Sequence, residues 1–85
     1  MFFKKKMQEE YLGEEQKERL ETIVDELSEI GCREARFEVG DKDSEFTVSE
    51  LQAFCQLYDF GLVGIEDRGV CLPKNLKKGI LYMTF

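Results

Sequence analysis

Within the run from Glu14 to Ile30, apolar residues recur at Leu20, Ile23, Val24, Leu27 and Ile30. At about 100° per residue these positions fall in one arc of about 120°, the buried stripe of an amphipathic helix. Gly13 precedes the run and Gly31 follows it. Gly31 suits the position just past a helix end, where the chain turns through positive φ. Glu14 and Glu15 stand in the first turn, where the helix dipole favours carboxylates.

The pattern then changes period. Glu34–Val39 alternates, with Ala35, Phe37 and Val39 on one side and Glu34, Arg36 and Glu38 on the other, as in a half-buried strand. Gly40, Asp41, Lys42, Asp43 and Ser44 are turn residues, and Phe46 and Val48 resume the alternation. The expectation is a hairpin over 34–48. Ser49 and Gln52 have capping-box spacing and open a second helix from Glu50 to about Asp59, stopped by Gly61. That helix carries two apolar stripes. Leu51, Phe54, Cys55 and Tyr58 form one, and Ala53, Leu57 and Phe60 the other. A helix this apolar is expected to be covered on more than one side, by the core or by a second copy along the Ala53 stripe.

Leu62–Glu66 and Val70–Pro73 flank Asp67, Arg68 and Gly69 and read as a second hairpin, with Pro73 at its end. Lys74–Gly79 is a basic loop. Ile80–Phe85 is rich in strand formers and reads as a last strand buried on both faces, or as an edge that pairs with another chain. The order helix, hairpin, helix, hairpin, strand predicts an α+β fold. Two helices would pack on one face of a mostly antiparallel four- or five-stranded sheet. The whole of 1–85 forms one small domain. Residues 1–12 read as a loosely held arm or an extra helical turn, with Tyr11 as a helix break or an exposed anchor.

The side of the first helix opposite its apolar stripe is unusual. Glu14, Glu15, Glu18, Glu21, Asp25, Glu26 and Glu29 fill an arc of about 140° with no base inside it. Lys17 and Arg19 lie at its two margins. Glu14/Glu18, Glu21/Asp25 and Asp25/Glu29 are like-charge pairs one turn apart, each costing an isolated helix roughly 0.2–0.5 kcal/mol. A helix chosen for stability alone would interleave lysines. The alternative is a solvated face whose charges cost little at high dielectric.

Composition narrows the function classes. The 85 residues include 18 acids and 12 bases, a net charge of −6, so the chain as a whole repels phosphates. Lysines cluster at Lys4–Lys6 and at Lys74, Lys77 and Lys78. No apolar run approaches the roughly 20 residues of a membrane span, and Met1–Met7 lacks the apolar stretch of a signal peptide. Three cysteines, Cys32, Cys55 and Cys71, show no close pairing. They read as small buried hydrophobes of a reduced, cytoplasmic protein. With no histidine in the chain, the commonest general base and the usual activator of Ser or Cys are missing. Asp41 and Asp43 resemble only the start of a calcium loop, and the glycines lack phosphate-loop spacing. The expectation is a protein without catalysis, metal or cofactor.

Two binding roles remain. In the first, Glu14, Glu18, Glu21, Asp25 and Glu29, with Tyr11, dock on the basic surface of a larger protein, such as a nucleic-acid enzyme. Carboxylate rows imitate phosphate rows, and the role is analogous to that of phage anti-defence or anti-CRISPR inhibitors. In the second, a winged-helix regulator reads DNA with helix 49–60, the Asp67–Gly69 hairpin as wing and Lys74, Lys77 and Lys78 on phosphates. That helix offers base edges only Gln52 and Gln56. A small dimerisation subunit is a third, plainer possibility.

Overall fold

The computed structural model describes residues 12–85. Its elements are α1 (Glu14–Glu29), β1 (Glu34–Val39), α2 (Val48–Tyr58), β2 (Gly61–Glu66), β3 (Gly69–Cys71), a 3-10 turn at Pro73–Asn75, and β4 (Gly79–Thr84). The four strands form one antiparallel sheet in the order β1-β4-β2-β3. The protein is therefore α+β, with two helices and a four-stranded sheet among the described residues.

α1 starts directly after Gly13 and ends as the sequence predicts. Gly31 takes φ 87°. Its N–H donates to the Ser28 carbonyl at 3.1 Å, and the Cys32 N–H donates to the Leu27 carbonyl at 2.8 Å. These two bonds satisfy carbonyls that a helix end otherwise leaves open. Of the apolar stripe, Leu20 is fully buried, and Ile23, Val24 and Leu27 are half-buried against the core. Ile30 is 74% exposed, because the chain has already left the helix there.

The first expected hairpin does not form. β1 pairs with β4, placing Phe37 opposite Leu81 and Ala35 opposite Met83. Phe46 is buried in the connecting loop, edge-to-face on Phe37 at 5.6 Å between ring centres. Val48 is the first residue of α2. The capping box sits two residues earlier than Ser49 and Gln52 would place it. The Glu50 N–H donates to Thr47 Oγ1 at 3.1 Å, and the Thr47 N–H donates to Glu50 Oε1 at 2.9 Å. Two alternating apolar positions were too few to tell a strand from the approach to a helix.

α2 ends about where the sequence predicts, but the residue that stops it is Asp59 and not Gly61. Asp59 adopts the left-handed conformation (φ 60°), and the Phe60 N–H returns to the Cys55 carbonyl at 2.9 Å. Aspartate tolerates that region better than most residues. The helix is covered on one side only. Leu51, Phe54 and Cys55 are buried, whereas Leu57 is 57% exposed. Ala53 and Phe60 are half-buried, so the second stripe reaches the surface as a single leucine.

The second hairpin forms as expected, with Ile65 opposite Val70 and Gly64 opposite Cys71. β4 is central, between β1 and β2, but it is not buried on both faces. Leu81 and Met83 are fully buried, Ile80 and Tyr82 are half-buried, and Thr84 is exposed. The buried alternate residues Ala35, Phe37, Val39, Leu81 and Met83 join Leu20, Leu51, Phe54 and Cys55 in one core. Leu76, in the basic loop, closes that core at 4% exposure. Gly40 (φ 95°) passes the backbone of Lys77 and Lys78 so closely that a Cβ would lie 2.3 Å from the Lys77 carbonyl oxygen.

Candidate functional site

The carboxylates singled out in the sequence sit on one helix, so their relative placement follows from α1 itself. Glu14, Glu18, Asp25 and Glu29 are exposed, as are Glu15 and Glu26 between them. Among the described residues, none of these six has a basic nitrogen within 4.0 Å. The last turn of α1 carries no base to complement the helix dipole.

Glu21 behaves differently. It is half-buried where α1 meets α2, and it accepts a hydrogen bond from the Tyr58 hydroxyl. Lys17 Nζ stands 4.0 Å from the same carboxylate. Glu21 is thus committed to holding the two helices together and to one margin of the acidic arc. The Tyr58 hydroxyl is raised above its ordinary pKa of 10.0, first by this hydrogen bond, then by desolvation and the charges of Glu21 and Asp25. Tyr11 lies outside the described residues.

Each flank of the acidic face opens onto a depression. On the α2 side, Val24, Asp25, Phe54, Tyr58 and Phe60 surround a shallow cleft beside Glu21. Tyr58 and Phe60 stack there with ring centres 5.5 Å apart. On the other side, Glu15, Glu18, Arg19 and Ile23 meet Glu45 of the loop after β1. That loop is tied to α1 by Gln16, whose Nε2 donates to the Glu45 carbonyl at 2.8 Å and to Glu50 Oε1 at 3.3 Å. Glu45 therefore extends the acidic surface beyond the helix. Sequence reasoning missed both Tyr58 and Glu45 as members of this surface. Tyr58 was assigned to the core stripe, and Glu45 stands in a loop whose path the sequence does not reveal.

Apart from Lys17 and Arg19 at the margins of the face, the basic residues considered for DNA contact lie elsewhere. Lys78 Nζ is 3.6 Å from Asp41 Oδ1, and Lys78 shares a recess with Glu66, Asp67 and Arg68 at the tip of the β2–β3 hairpin. Acids and bases are balanced there. The hairpin is continuous with the sheet through β2 and β4, and α2 exposes Gln56, Leu57 and Tyr58 rather than cations. A DNA-reading surface would need positive charge on these elements.

The cysteines are all free thiols. Burial pushes the Cys55 thiol up to about 11. The Cys71 thiol is raised as well, by desolvation and then by the Glu66 carboxylate. Both shifts oppose the thiolate that nucleophilic chemistry requires. Among the described residues, no three Cys, Asp or Glu side chains are grouped to hold a metal ion. No described helix is long and apolar enough to cross a membrane. No protein-family model, curated protein or solved structure matches this chain.

Proposed function

We propose that this protein is a non-catalytic interaction module that docks the carboxylate face of α1 on a basic surface of a larger protein. The observation that supports the reading is the row Glu14, Glu18, Asp25 and Glu29, exposed along one face of α1 with no basic nitrogen within 4.0 Å among the described residues. The like-charge spacing within that row works against helix stability. A function that uses the charge accounts for its retention. Carboxylates spaced along a helix offer a cationic groove a series of anions, as a nucleic-acid backbone does, and long-range attraction of this kind speeds encounter. The partner chemistry is therefore a groove of lysine and arginine. An enzyme that handles nucleic acid has such a groove, and occupying it would inhibit that enzyme.

The test is capture by the tagged protein from nuclease-treated lysate, with elution along a salt gradient and with double-stranded DNA as competitor. The reading predicts a basic partner that survives nuclease, leaves at moderate salt and is displaced by DNA. Loss of all partners on nuclease treatment contradicts it.

A further inference from the structure

The two edges of the sheet are finished differently. β3 is three residues long and is followed at once by Leu72 and Pro73, which leave it little to pair with. β1 is six residues long, and its only strand partner among the described residues is β4. Its hydrogen-bonding register follows from one bond. The Phe85 N–H donates to the Arg33 carbonyl at 2.9 Å, so Arg33 and Phe85 form a hydrogen-bonded pair. Such pairs alternate along an antiparallel ladder. Ala35, Phe37 and Val39 therefore bond to β4, and the N–H and C=O groups of Glu34, Arg36 and Glu38 point away from the sheet. Among the described residues, no backbone group from a turn or loop meets them.

A groove of about 520 Å³ runs along this edge. Ile23 and Leu27 of α1 form one wall and the β1 backbone the other. The loop carrying Asp41, Asp43 and Glu45 bounds it. An extended chain laid beside β1 would bond to three residues and turn alternate side chains inward toward Ile23 and Leu27. Its remaining side chains would lie beside Glu34, Arg36 and Glu38 on the outer face of the sheet.

Charge selects the occupant. Two copies pairing antiparallel about Arg36 would set Arg36 against Arg36 and each Glu34 against a Glu38. Like charges directly opposite on a sheet are destabilising, so the self-pairing that uses all three outward residues is disfavoured; a register centred on Phe37 sets each Arg36 against a Glu38 but bonds only two of the three. The complementary strand has a base opposite Glu34, an acid opposite Arg36, a base opposite Glu38 and apolar residues between them. Asp43 and Glu45 of the bounding loop favour further positive charge at the end beside Val39. We infer that the β1 edge binds, by strand addition, an extended peptide segment whose outer-face side chains run base, acid, base and whose inward side chains are apolar. This goes beyond the docking of α1, and it stands or falls independently of it.

The test uses the full chain, labelled with 15N, and the blocked peptide Val-Lys-Val-Glu-Val-Lys-Val. The expected result is shifted and exchange-protected amides at Glu34, Arg36 and Glu38, with further shifts at Ile23 and Leu27. The charge-inverted peptide Val-Glu-Val-Lys-Val-Glu-Val should bind roughly tenfold more weakly or worse. Arg36→Pro removes an N–H that faces away from β4 and should abolish binding. Arg36→Ala, which keeps that N–H, should retain most of it. The same loss should follow when the protein is left intact and the peptide is N-methylated at the residue opposite Arg36, so a misfolded proline variant does not decide the matter.

Shifts confined to the α1 carboxylates, or equal binding of the two peptides, would overturn the inference. So would edge amides already protected in the free protein. Protection independent of concentration would mean that the chain's own residues occupy the edge, and protection that grows with concentration would mean a second copy.

Discussion

The Tyr58 hydroxyl donates to the Glu21 carboxylate, bonding the last turn of α2 to the margin of the acidic face of α1. One of the seven carboxylates in the arc is therefore structural, and the others are left to solvent. The bond also ties the titration of Tyr58 to Glu21. A tyrosine raised in the folded state contributes stability that is fully present below its ordinary value of 10.0 and is lost as pH rises beyond it. Glu21→Gln should lower the Tyr58 midpoint toward that ordinary value, read from the ring-carbon NMR shift against pH. An unchanged midpoint would mean that the hydrogen bond does not form in solution.

Cys55 obeys the same sign rule. Its thiol is held up to about 11 by burial, against an ordinary 9.0, so it stays protonated at neutral pH. In the folded protein, Cys55 should be the slowest of the three cysteines to react with a thiol-specific disulfide reagent at about pH 8, and unfolding in urea should release it. Rapid labelling of native Cys55, located by mass spectrometry, would contradict the burial of this α2 face.

The reciprocal cap of α2 can be tested against its displaced alternative. Thr47→Ala should cost about 1 kcal/mol in urea unfolding, because it leaves the Glu50 N–H without its acceptor. Ser49→Ala and Gln52→Ala lie outside the observed box and should each change stability by less than about 0.5 kcal/mol. The reverse order of effects would restore the later helix start that the sequence suggested.

On α1, buried and exposed positions of the same stripe should separate sharply. Leu20→Ala removes a fully buried side chain and should cost about 2–5 kcal/mol. Ile30→Ala, at an exposed position beyond the helix, should cost less than about 0.5 kcal/mol. Glu29→Lys should stabilise the protein. It relieves repulsion with Asp25 and supplies the missing base in the last turn, together roughly 0.5–1 kcal/mol. A loss of stability in Glu29→Lys would remove the argument that the acidic row is held against the interest of the fold.

These contrasts also show where the sequence was legible. α1 could be read from end to end, because five apolar positions over about three turns define a period and Gly31 marks its stop. The β2–β3 hairpin was legible because Asp67, Arg68 and Gly69 are turn residues between apolar runs. The partner of β1 was not. Its neighbour β4 lies some forty residues away, and nothing in the Glu34–Val39 alternation names it. Thr47 with Glu50 and Ser49 with Gln52 are overlapping boxes in the sequence, and only the burial of Phe46 against Phe37 decides between them. The acidic arc itself was visible, since it lies on one helix. The recruitment of Glu21 by Tyr58, and of Glu45 to the edge of the face, depends on tertiary approach. So does the open edge of β1, which exists only because β4 takes its other side.

The central claim is that the exposed carboxylates of α1 are a docking surface, and the most direct measurement isolates them. Glu18→Lys, Asp25→Lys and Glu29→Lys are combined in one variant that leaves Glu21 bonded to Tyr58. Wild type and variant are then compared in capture from the same nuclease-treated lysate along one salt gradient, after thermal unfolding shows both to be folded. The account predicts that the variant is at least as stable as wild type and loses the basic partner at every salt concentration. If the stable variant captures the same partner with the same salt dependence, α1 is a solvated face and the claim is wrong.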